Sequence, residues 1–281
     1  MSPPPDSVPL KDFEILATEL ARVAGAEIEA AMNRTVAVDY KGTPASTRDP
    51  VSEVDNSVEI LLRARIGEQY PEHDIIGEEI DERPGRHHSH VWAVDPVDGT
   101  ANFVNGLPLF ASSIGLLIDG TPEVGAVWCS TSHLLRPGVY SAHTGGTLNF
   151  DGNPMVRQRN ANLRAGLLGL PGVADLDSPR FHSRKTGSAA LECAFVAAGL
   201  LAGAHFLSPN LWDVAAGVVL VKACGLELLQ QRGNGWNAFE KFELASMSGD
   251  LRLWSSQLVM GKKDATAALI HSDAAARDSL R

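Results

Sequence analysis

Apolar residues recur at Phe13, Leu16, Leu20, Val23, Ile28 and Ala31, close to the helical period of about 3.6 residues. The spacing predicts one amphipathic helix over 10–33, behind a Pro-rich, polar tip at 1–9. A loop bearing Gly42, Pro44 and Pro50 follows. Val58, Leu61, Leu62 and Ile66 then predict a second helix, with Asp55 available as its cap. Short apolar runs at 74–77 and 91–94 read as strands separated by a polar, charged loop, 81–90, and strand signals continue at 114–118 and 124–128. Beyond the turn signal Asp151-Gly152-Asn153-Pro154 the rhythm changes. Strand-like runs at 166–170, 205–207, 226–229 and 258–260 alternate with helical runs at 188–200, 213–224 and 263–272. Such alternation is satisfied by helices on both faces of a sheet. The pattern divides the chain into a flexible tip (1–9), an N-terminal α+β region (10–150) and a C-terminal α/β region (151–281).

Charge narrows the function classes. The 281 residues hold 24 Lys+Arg against 34 Asp+Glu, a net charge of −10, with 44% apolar residues. The apolar share is that of a globular chain. An acidic chain without a basic stripe is a poor partner for a nucleic acid polymer, because phosphate neutralisation supplies most non-specific affinity there. No window reaches the roughly 18 consecutive apolar residues of a membrane span, and the start has no basic and apolar leader pattern. Cys129, Cys193 and Cys224 lie far apart, so a reducing compartment and a cytoplasmic, soluble protein are expected.

The candidate chemistry is acidic. In Trp92-Ala93-Val94-Asp95-Pro96-Val97-Asp98-Gly99-Thr100 an apolar strand ends on Asp95, and Pro96 turns the chain. Asp98 then returns beside Asp95 just past the strand end. Gly99 permits close backbone approach to a ligand. If a helix starts at Thr100, the N–H groups of Gly99, Thr100 and Ala101 form an anion cradle. Taken alone, D-P-x-D-G reads equally as an ordinary acidic turn or as a metal-binding motif. Glu78, closing the preceding strand run, and Asp213, opening the helix after Trp212, add two more carboxylates at element ends. Four carboxylates beside an anion cradle suit divalent, oxygen-seeking cations bridging to a phosphate.

These residues resemble the inositol monophosphatase family. The matching segments are Gly77-Glu78-Glu79, Trp92-x-x-Asp95-Pro96-x-Asp98-Gly99-Thr100-x-Asn102-Phe103 and Trp212-Asp213-x-Ala215-Ala216-Gly217, with Asp49-Pro50-Val51-Ser52-Glu53-Val54-Asp55 and Gly187-Ser188-Ala189-Ala190 in the expected order. The resemblance spans about residues 10–270 and implies a layered α/β/α/β/α sugar-phosphatase fold, a homodimer and a lithium-sensitive, Mg²⁺-dependent phosphatase. It implies two or three Mg²⁺ ions per site. Glu78, Asp95 and the Val97 carbonyl would hold the first, Asp95, Asp98 and Asp213 the second, and a weaker third would involve Glu78. Thr100, oriented by Asp55, and Glu78 would act on the attacking water. The Gly99 and Thr100 N–H groups would hold phosphate oxygens.

The substrate implied is a small-molecule phosphate ester: inositol monophosphate or a related polyol or sugar phosphate. The alternatives are histidinol phosphate and a 3′(2′),5′-bisphosphate nucleotide, or, from a different class, a non-catalytic metal-binding regulatory role. The family's inositol phosphatases carry a Glu seven residues before the Trp-Asp aspartate, where this chain has Phe206, and an Asp four residues further upstream, where it has Ala202. A pocket lined by Phe206, Ser188 and Ala189 that grips a polyol differently is the reading favoured. His87-His88-Ser89-His90 lacks regular ligand spacing and is expected to be a mobile, solvated loop flanking the site rather than a soft-metal site.

Overall fold

A computed structural model describes residues 8–32, 34–41, 50–83, 85–156, 162–171, 179–233, 235–244 and 250–278, with side chains to residue 272. Gly42, Pro44, Asp49 and most of the Pro-rich tip lie outside the described residues. The elements run α1 (Leu10–Ala31), β1 (Val38–Tyr40), β2 (Pro50–Ser52), α2 (Glu53–Gln69), β3 (Asp74–Gly77), β4 (His90–Asp98), α3 (Thr100–Val104), β5 (Ala111–Ile118), β6 (Thr121–Cys129), β7 (Gly138–His143), β8 (Asn149–Phe150) and β9 (Asn153–Pro154). They continue with β10 (Gly166–Gly169), β11 (Phe181–Arg184), α4 (Ala189–Ala198), β12 (Gly203–Phe206), α5 (Leu211–Ala223), β13 (Glu227–Arg232), β14 (Gly235–Ala238), a 3-10 turn (Leu251–Leu253), β15 (Leu258–Gly261) and α6 (Lys263–Asp278).

Strands β3 to β9 form a seven-stranded sheet in sequence order, antiparallel except for the parallel pair β3–β4. The second sheet has six strands in the order β11-β10-β12-β15-β13-β14. Strand periodicity decides the layers. Along β4, Trp92 and Val94 enter a core shared with α1 and α2, while Val91 and Ala93 enter a second core shared with α4, α5 and the second sheet. Val259, Ala265 and Leu269 fill a third, smaller core under α6. The layers are therefore helix, sheet, helix, sheet, helix: the α/β/α/β/α arrangement. The change of sheet falls between Pro154 and Gly166, and α4 and α5 pack on strands of both sheets.

Two local expectations are corrected. The cap of α2 is Ser52, whose Oγ accepts from Val54 N and Asp55 N. Asp55 instead returns a carboxylate oxygen to Ser52 N at 2.8 Å, completing a capping box. Strand β4 also runs three residues past Asp95, because an irregularity in the ladder absorbs Pro96.

Candidate active site

That irregularity builds the acidic centre. On β4 and β5, Asp95 pairs with Ser113, and the next aligned pair is Asp98 with Ala111. Three steps on β4 thus oppose two on β5, a one-residue bulge at a proline that has no N–H for the ladder. In an unbroken strand, residues three apart face opposite sides. The extra residue returns Asp98 to the face of Asp95, which shares the parity of Val91 and Ala93 and looks toward α4 and α5.

Each neighbouring carboxylate arrives from an element end. Asp98 is held by the start of α4: Ser188 Oγ donates at 2.5 Å, Ala190 N at 2.6 Å and Ala189 N at 3.2 Å. Asp213 lies in the first turn of α5, where Asn210 N donates to it at 2.8 Å. Ser113, the cross-strand neighbour of Asp95, donates to Trp212 O at 3.1 Å and pins that helix start to β5. Glu78 lies one step beyond β3, and its N–H donates to Val94 O at 3.2 Å. Gly99 adopts φ 91°, where a Cβ would also sit 3.2 Å from Leu109 O and from Ser188 Cβ. It caps α3, so Thr100 N and Ala101 N occupy positions that a helix leaves without internal acceptors. Thr100 Oγ1 lies 2.8 Å from Asp55 Oδ1 and 2.9 Å from Val97 O, and its single proton serves one of them at a time.

Within the cluster Glu78 has a counter-charge in Lys41, but the aspartates Asp95, Asp98 and Asp213 have none among the described residues. Asp95 is 1% exposed, and its Oδ1 is buried with no hydrogen-bond partner among the described residues. Burial, then Glu78, Asp98, Asp213 and Asp55, push its carboxyl well above the usual range. Burial, followed by Asp98, does the same to Asp213. Burial also raises Asp98, Glu78 and Asp55. Among the described residues, no ion pair reaches Asp95, Asp98 or Asp213. Like charges brought together away from water are strongly unfavourable without a counter-charge. The donors are all oxygen, the chemistry of a hard divalent cation such as Mg²⁺, and the orphaned Asp95 oxygen is where one fits.

The family model described as "Inositol monophosphatase family" matches residues 10–273. The chain belongs to the inositol monophosphatase family. A protein named inositol-1-monophosphatase from Synechocystis sp. is 34% identical over 227 residues, covering 75% of this chain and 76% of that one. The Escherichia coli protein named Nus factor SuhB is 32% identical over 224 residues, covering 75% and 82%. The crystal structure of extragenic suppressor protein suhB from Bartonella henselae superposes with a TM-score of 0.74 at 22% identity, covering 93% of this chain and 98% of that one. Membership places the chain among phosphatases of this superfamily.

In this family member the structure brings together Asp55, Glu78, Asp95, Val97, Asp98, Gly99 and Thr100, with Asp213 and Ser188 beside them. The residues named as pocket wall divide. Ser188 is buried and spends its hydroxyl on Asp98 and on the cap of α4, whereas Ala189 is half-exposed. Phe206 is 6% exposed within the core that also holds Leu211, Trp212 and Leu258, leaving little ring surface for a ligand. Lys41, in no motif, has Nζ 2.6 Å from Glu78 Oε1 and 2.7 Å from Glu79 Oε1. A lone lysine at the end of a short strand offers no signal in the sequence.

The histidine loop is also tied down. His88 and His90 stack on His73 at 5.0 and 4.7 Å between ring centroids, while His87 is exposed. Ring nitrogens of His73, His88 and His90 lie within 4.8 Å of one another. Yet Trp92 Nε1 donates to His73 Nδ1 at 3.1 Å, and His90 N donates to His88 Nδ1 at 3.0 Å. A neutral ring accepting at Nδ1 carries its proton on Nε2, which opposes metal ligation there.

Proposed function

We propose that this protein is a Mg²⁺-dependent phosphomonoesterase that hydrolyses a small polyol or sugar phosphate, inositol monophosphate being the leading candidate. The observation that carries this reading is the orphaned, buried Oδ1 of Asp95 inside a nest of carboxylates. Asp95, Asp98, Asp213, Glu78 and the Val97 carbonyl would hold the ions. Such ions supply Lewis-acid charge, which makes water a better nucleophile and offsets the phosphate and the departing alkoxide. The protein's own share is positioning. Asp55 fixes the Thr100 hydroxyl, and Thr100 and Glu78 orient the attacking water. The N–H groups of Gly99 and Thr100 hold phosphate oxygens at the helix start. Water attacks phosphorus and loses a proton while the ester P–O bond breaks, and the departing alkoxide takes up a proton, giving the free alcohol and inorganic phosphate without a covalent enzyme intermediate.

With Phe206 in the core and Ala202 upstream, β12 offers no carboxylate for polyol hydroxyls, so the alcohol is selected by other groups. Phosphate release from inositol 1-phosphate, histidinol phosphate, 3′-phosphoadenosine 5′-phosphate and fructose 1,6-bisphosphate tests the reading. Turnover should require Mg²⁺ and be greatest on inositol 1-phosphate. Asp95→Asn should lower it about a thousandfold, equivalent to ~4 kcal/mol of barrier. Near wild-type turnover in folded Asp95→Asn would overturn the site. Preference for another ester would overturn the substrate. Mg²⁺ binding without turnover on any of the four would favour a binding role.

A further inference from the structure

The segment before β15 reaches the acidic centre although none of the family motifs includes it. Its 3-10 turn, Leu251–Leu253, is capped by Asp250, whose Oδ1 accepts from Arg252 N at 3.0 Å. The Asp250 carboxylate also pairs with Arg83, and Arg83 grips Asp74, the first residue of β3. Arg252 takes hold of the other end of that strand. Its Nη1 donates to Gly77 O, and its Nη2 donates to Glu78 O at 2.9 Å. Its guanidinium carbon lies 5.1 Å from the ring centroid of Trp212, the residue before Asp213.

We propose that Arg252 is a positioning residue that sets the spacing between the Glu78 and Asp213 halves of the carboxylate cluster. The inference rests on the metal-dependent phosphatase reading of that cluster. Strand β3 is an edge strand, so carbonyls on its outer side have no neighbouring strand to pair with. The loop after it is gripped from both sides. Glu59 of α2 accepts from Glu79 N at 2.7 Å and Ile80 N at 3.1 Å, and Arg252 takes the carbonyls of Gly77 and Glu78. The planar guanidinium can donate to two carbonyls while its face covers an indole, a combination that a lysine ammonium cannot reproduce. Through one side chain, the backbone of Glu78 is thus referenced to the helix start that carries Asp213. A shift between them changes how well each carboxylate meets the ion that it would hold together with Asp95.

Calorimetric titration of the full chain with Mg²⁺ alone, without substrate, tests this. Arg252→Met keeps a stem over Trp212 but removes every donor, and should weaken Mg²⁺ binding about 10- to 100-fold, the range seen when partners behind metal ligands are lost. Arg252→Lys, which restores the charge and one donor, should fall between. Arg83→Met loosens the other end of the same turn and should lower the thermal midpoint while leaving Mg²⁺ affinity within about threefold of wild type. Should Arg252→Met not fold, the Lys variant decides. Wild-type Mg²⁺ affinity in either folded Arg252 variant, or an equal loss in Arg83→Met, overturns the positioning role. Absence of Mg²⁺ binding by the wild-type protein overturns the underlying reading as well.

Discussion

Asp95 and Asp98 belong to one motif, yet their surroundings differ. Asp98 accepts from a hydroxyl and two amides, while Asp95 keeps a buried oxygen with no donor. Only the second arrangement demands an external cation. Both aspartates could be read from the sequence; the difference between them could not, since the donors come from Ser188–Ala190, about ninety residues away. A further buried acid lies behind them. Glu192 accepts from Thr186 Oγ1 at 2.8 Å, and its carboxyl is pushed up to about 7, chiefly by burial. An acid whose folded pKa exceeds its unfolded value disfavours folding once the unfolded chain ionises. Here that disadvantage begins near pH 4.5 and is complete above pH 7. Glu192→Gln keeps an oxygen for Thr186 and removes the ionisation. Its thermal midpoint should therefore gain on wild type between pH 5 and pH 8, and a gap that stays constant across that range would refute the assignment.

At the scale of elements, close approach governs. Helix α5 crosses the large sheet at two glycines. A Cβ on Gly125 would sit 2.3 Å from Ala216 O, and one on Gly115 would sit 2.9 Å from Ala216 N. Gly125→Ala should therefore lower stability by about 1–3 kcal/mol through forced displacement of the helix. Gly67, in α2 with nothing near its missing Cβ, should instead gain about 0.5–1 kcal/mol as alanine. Urea unfolding of both variants checks the contrast, and equal signs would contradict the packing argument. The elements themselves were legible wherever periodicity was long. The helix read over 10–33 is Leu10–Ala31, and the run 213–224 lies within Leu211–Ala223 but for its last residue. Among what escaped were β7 (Gly138–His143) and β11 (Phe181–Arg184), and also β4 beyond Asp95, because a proline normally ends a strand and only the register against β5 reveals a bulge.

For the whole molecule, the acidic centre is a liability until a cation occupies it. Mg²⁺ should stabilise the fold by ~2.7 kcal/mol at a hundred times its dissociation constant, and so raise the thermal midpoint in a concentration-dependent way. Asp95→Asn should abolish that rise yet make the metal-free protein more stable than wild type, since it removes one repelling buried charge. A metal-free Asp95→Asn protein less stable than wild type would show that the repulsion is relieved some other way. Among the described residues, no helix is long and apolar enough to cross a membrane.

The sequence by itself placed Glu78, Asp95, Asp98 and Asp213 at element ends and carried the motifs that resemble the family, and the layered class followed only as what that resemblance implies. The motifs rest on local order: turn residues and spacing along the chain. Tertiary structure alone decided that Asp95 lacks a donor, that Ser188 serves Asp98, that Phe206 is in the core and that Arg252 holds Gly77 and Glu78 beside Trp212. The physical reason is that pairing and burial depend on which distant segments meet, and a side chain's partners across the fold leave no regular spacing along the chain.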